Sequence, residues 1–66
     1  MGFGAPRDPL QAAALLGGAC TRGEGEACAQ LAEMHGRGEG VPADAARTRE
    51  LLKQACDKGF VAACRP

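Results

Sequence analysis

Sliding the sequence against itself by 36 residues brings both of its cysteine pairs into register, and that coincidence limits what the chain can fold into. Asp8 falls on Asp44, Leu15-Leu16 on Leu51-Leu52, Ala19-Cys20 on Ala55-Cys56, Gly23 on Gly59, and Ala27-Cys28 on Ala63-Cys64. A fixed period of this size marks a chain made from copies of one supersecondary unit, each relying on its neighbour to cover its apolar face. With 66 residues there is room for fewer than two copies and only a small core. Chains this short usually add a disulfide, a metal or a partner to fold at all.

Each copy reads as a helix pair. The first helix opens at Asp8 or Asp44, whose carboxylate can accept from free backbone N–H groups, and Pro9 follows where a missing N–H costs nothing. Apolar residues then recur at the three-and-four spacing of one face, through Leu15, Leu16, Ala19 and Cys20 or through Thr48, Leu51, Leu52, Ala55 and Cys56. Gly23 and Gly59 end it. A second helix restarts near Glu26 and carries Ala27, Cys28, Leu31, Met34 and His35, with Glu33 and Arg37 paired on the solvent side. Helices are therefore expected near 8–22, 25–37 and 44–58, with a short fourth piece after Phe60. The chain divides into an arm at 1–7, one unit at 8–43 and a truncated unit at 44–66.

Between the units, Gly36, Gly38 and Gly40 turn the chain, Val41 is the apolar side chain able to pin the turn to the core, and Pro42 discourages helix before the cap at Asp44. A phosphate cradle is excluded here, because no strand precedes the glycines and no Lys follows at the required position.

Eight basic and eight acidic side chains cancel and are mixed along the chain, so no basic stripe exists to neutralise phosphates and nucleic acid is excluded as a partner. Phe3 and Phe60 are the only aromatics. No run approaches the ~20 apolar residues of a membrane span, and the stretch before Cys20 is too short for a secretory leader.

The pattern Leu31-Ala32-Glu33-Met34, Gly38-Glu39-Gly40-Val41, Asp44, Leu51-Leu52, Ala55-Cys56, Gly59 and Ala63-Cys64 resembles the Sel1-like repeat family, within its cysteine-rich bacterial branch, some of whose members carry a beta-lactamase label. His35 departs from the family, which usually has Tyr there. The resemblance implies an all-α superhelix of antiparallel helix pairs, about one and a half repeats long, acting as an adaptor for another protein or peptide without a cofactor. Weak penicillin binding in a groove is the alternative that the branch label permits. Hydrolysis is not expected, since the chain has no Ser to act as nucleophile and one His to serve zinc.

The four cysteines admit three readings. In an antiparallel pair, Cys20 at the end of one helix faces Cys28 at the start of the next, and Cys56 faces Cys64, at separations a disulfide spans. Each bridge would close a short loop worth roughly 2.5 kcal/mol by chain entropy. A shared metal would need four sulfurs about 3.8 Å apart, whereas stacked helices repeat at about 8–10 Å. Free thiols in a redox role would exploit a depressed pKa for Cys28 at a helix N-terminus. Repetition of the pairs along with the fold favours structural bridges and, with them, an oxidising compartment, periplasmic or extracellular. A Cys28–His35 nucleophile pair is excluded, because seven residues along a helix is about 10 Å. An array this short is also expected to leave Leu51 and Leu52 without a full partner, so that either further repeats of a longer solenoid cover them or copies self-associate through the open end.

Overall fold

The computed structural model describes residues 8–64, and the arm at 1–7 lies outside them. The fold is all-α: helix α1 (Pro9–Thr21), helix α2 (Gly25–Arg37), helix α3 (Ala45–Asp57) and a 3-10 turn (Val61–Cys64). The described residues contain no strand. Helix α2 packs on both α1 and α3, and the 3-10 turn packs on α3.

The helix starts follow from their caps. The Leu10 N–H donates to the Asp8 carboxylate at 3.0 Å with Pro9 in the first turn, and the Arg47 N–H donates to Asp44 at 3.0 Å. Helix α2 has no such cap bond at Glu24 and instead holds Glu26 in its first turn, where the helix dipole favours an anion.

Both cysteine-flanked helix ends use one hydrogen-bond motif. The Gly23 N–H donates to the Cys20 carbonyl at 3.0 Å and the Glu24 N–H to Ala19 at 3.1 Å; one period later Gly59 donates to Cys56 at 3.0 Å and Phe60 to Ala55 at 2.9 Å. This is the reversal in which a left-handed residue satisfies carbonyls left open by the ending helix. Gly23 and Gly59 accordingly have φ of 102° and 97°.

Ala13, Cys20, Cys28, Leu31, Ala32, Leu51 and Ala55 form the core, with Leu16, Met34, Val41, Leu52 and Phe60 partly buried against it. Small side chains let the helices approach closely. A Cβ on Gly25 would lie 2.9 Å from the Ala55 carbonyl oxygen and 3.0 Å from the Phe60 Cβ, so the start of α2 meets the end of α3 backbone to backbone. Burying a leucine as fully as Leu51 contributes about 1.5–3 kcal/mol.

One expectation is corrected. Leu51 is 1% exposed and Leu52 half-buried, because α2 lies across α3; the bare leucines are Leu15, 59% exposed, and Leu10, 66% exposed, both on α1. The sequence stripe on α1 is real, but it is wider than the single neighbour that packs on it. The open apolar face is thus on the first helix rather than the third.

The loop between α2 and α3 begins at Gly38, whose φ is 71° and whose N–H donates to the Met34 carbonyl at 2.8 Å. Val41 packs partly buried against the core. At Gly40, φ is 75° and any Cβ would collide with the Pro9 carbonyl, so the loop reaches back to the first turn of α1. His35 ties its far side: the Asp44 N–H donates to the His35 carbonyl at 3.1 Å, and the ring Nδ1 lies 3.2 Å from the Pro42 carbonyl.

Candidate functional site

The four cysteines form two bridges, Cys20–Cys28 with Cα atoms 4.6 Å apart and Cys56–Cys64 at 4.8 Å, and no cysteine is free. Their surroundings differ. Cys20 is 4% exposed and Cys28 fully buried beneath α3, whose Gln54 Oε1 rests 3.7 Å from the Cys20 sulfur as a packing contact, a bridged sulfur having no proton to donate. Cys56 is half-buried and Cys64 exposed. Among the described residues no group of three His, Cys, Asp or Glu side chains is placed to hold a metal ion.

The surface best shaped to receive a partner is an open trough between α2 and α3. Its first part, about 410 Å³, has a floor of Ala29, Ala32 and Leu52, with Phe60 at one end and Glu26 and Glu33 on the rim. A second part, about 430 Å³, continues past Thr48 to His35, Gly36, Asp44 and Arg49. The lining residues of α2 run from Glu26 to Gly36, so the trough follows the helix for about 15 Å, or nearly three turns.

Thr48 sets the spacing of the trough walls. Its hydroxyl lies 2.9 Å from the Asp44 carbonyl in its own helix and 3.3 Å from the Ala32 carbonyl across the interface. Gly36 lies opposite, where a Cβ would sit 3.8 Å from the Thr48 Oγ1. On the rim, Glu33 pairs with Arg37 at 3.0 Å, both side chains mostly exposed, which contributes a few tenths of a kcal/mol at most.

Comparison with known families matches the Sel1 repeat over residues 1–24 and again over 25–60, nearly the whole chain. The chain belongs to the Sel1 repeat family. Sel1 repeats form helical-repeat modules for protein interaction. No curated protein and no solved structure matches the chain. The second Sel1 segment holds α2, the glycine loop and α3; the first holds α1. The 3-10 turn then starts at Val61, one period of 36 after the α2 start at Gly25, and so occupies the place where another α2-like helix would begin.

Reading the sequence singled out Gly23, Gly38, Gly40, Val41, Asp44 and Gly59, all of which the structure places at turns and helix starts. It did not single out Ala29, Gln30, Thr48 or Leu52 as walls of one trough. A signal was available in Gly25, Ala29, Ala32 and Gly36, small residues spaced by four, three and four along one side of α2.

Proposed function

We propose that this Sel1-type chain is a non-catalytic interaction module whose trough between α2 and α3 receives a helical segment of another protein. The observation that carries the reading is the trough itself: an apolar floor of Ala29, Ala32 and Leu52 in its first part, a more polar second part lined by His35, Asp44 and Arg49, and Thr48 shared between them, together spanning about three turns of α2. A helix entering beside Phe60 would lie along α2 as the next unit of an array would, burying Leu52. Helix-in-groove recognition of this kind takes its energy from apolar anchors, with the rim charges selecting among partners. Glu26 at one end and Arg49 at the other give this rim a direction.

The uncharged helix α1, with Leu10 and Leu15 bare, is the second contact surface, through which copies of the chain associate. Two disulfides support placement in an oxidising compartment, periplasmic or extracellular.

Affinity capture from the source cell's proteins, comparing the wild-type chain with Leu52→Glu and Leu15→Glu, tests the trough. A protein retained by wild type and by Leu15→Glu but lost with Leu52→Glu supports the assignment. An identical captured set with all three chains refutes it, provided circular dichroism shows that each variant keeps its helices.

A further inference from the structure

The two disulfides share a spacing and a turn motif, yet their settings oppose each other. Opening Cys20–Cys28 means moving α2, a helix of 13 residues packed on both sides, away from α1 and α3. Cys28 is fully buried, so a reagent reaches that bridge only through loss of the core. Cys56–Cys64 instead fastens a 3-10 turn of four residues to the end of α3. Cys64 is exposed, and so are its neighbours Val61 and Ala62; within the turn, Ala63 is partly buried and its N–H donates to the Phe60 carbonyl at 2.9 Å. Exchange requires a thiolate to reach a bridge sulfur, so access and the cost of local opening set the rate.

We propose that Cys56–Cys64 is a thiol-exchange site, modified at Cys64 by small aliphatic thiols while Cys20–Cys28 stays intact. The incoming thiolate attacks the Cys64 sulfur, forming a mixed disulfide; the Cys56–Cys64 bond breaks and its electron pair leaves on Cys56 as a thiolate. A second thiolate then attacks the external sulfur of the mixed disulfide, releasing the symmetrical small disulfide and the Cys64 thiolate. Over both steps the bridge gains two electrons and the small thiol is oxidised by two. The module keeps α1, α2 and α3 throughout, because their bridge and their packing are untouched. Cys64 follows Ala63, whose N–H holds the Phe60 carbonyl, and Phe60 lines one end of the trough, so opening the bridge loosens the turn behind that end.

The experiment exposes the folded protein to excess glutathione at pH 8 without denaturant, quenches aliquots with acid, alkylates free thiols and maps each cysteine by peptide mass spectrometry. The expected result is loss of Cys56–Cys64 at least ten-fold faster than loss of Cys20–Cys28, a glutathione adduct on Cys64 with Cys56 alkylated, and an unchanged helical circular dichroism signal at that stage. Equal rates for the two bridges, prior opening of Cys20–Cys28, an adduct confined to Cys56, or exchange only after the helical signal is lost would each overturn the proposal.

Discussion

Helices α1 and α3 are the same element of the repeat met twice. Both are 13 residues long, begin after a capping aspartate, carry a Leu-Leu pair at the same register and end in the same cysteine-flanked turn. Yet Leu51 is 1% exposed and its counterpart Leu15 is 59% exposed. What separates them is whether a helix lies across that face: α2 covers it on α3, and nothing among the described residues covers it on α1. Burial in a repeat array is therefore a property of the neighbour as much as of the residue.

The strongest way to break this comparison is to truncate both leucines. Leu51→Ala is expected to cost about 2–5 kcal/mol, the range for emptying a packed leucine site, and Leu15→Ala at most about 0.5 kcal/mol, as for an exposed position. Urea denaturation of the two variants beside wild type measures both, and equal losses would mean that Leu15 is buried in solution. If copies cover it there, the apparent mass in sedimentation will rise with concentration, and Leu15→Glu will abolish the rise without lowering monomer stability.

The helix caps give a smaller contrast. Asp44→Ala removes the acceptor for the Arg47 N–H at a helix start in the middle of the chain and is expected to cost about 1 kcal/mol. Asp8→Ala removes the acceptor for the Leu10 N–H in a first turn that Pro9 already favours, and is expected to cost about 0.5 kcal/mol. The same denaturation assay compares them.

The smallest expected effect is a gain. Gly17 and Gly18 sit inside α1 where α3 has Lys53 and Gln54. A Cβ at Gly17 would meet Leu31 Cδ2 at 3.9 Å, an ordinary contact. Gly17→Ala should therefore stabilise the protein by about 0.5–1 kcal/mol through helix propensity, seen as a higher melting temperature. No gain would show that α1 needs its glycine for the approach of α2.

The helix pairs, their ends and the partners of the cysteines were legible in the sequence because each rests on local chemistry. Asp8 and Asp44 mark starts, Gly23 and Gly59 mark stops, and two cysteines flanking one reversal can reach each other. The fate of Leu15 was not legible. Its apolar neighbours announce a face to be covered, but no spacing within α1 says which face α2 will take. Likewise Thr48 reads as an ordinary helix residue until the Ala32 carbonyl is seen beside it, and the Gly40 contact with Pro9 joins residues whose separation hides the relation. The trough belongs to this second kind, being made by two helices and owned by neither.

The return of Gly40 to the Pro9 carbonyl bears on how this molecule could be altered. Helix α2 is held at its start by the Cys20–Cys28 bridge and at its end by a loop that touches α1 backbone to backbone. Like a beam fixed at both supports, it has little freedom to tilt, and side chains on its outward side take no part in the fixing. Ala29, Gln30 and Glu33 can therefore be rewritten as a set, as one would re-letter a fixed typeface, giving a family of surfaces with different preferences on an unchanged frame, while Glu26 stays as the anion at the helix start.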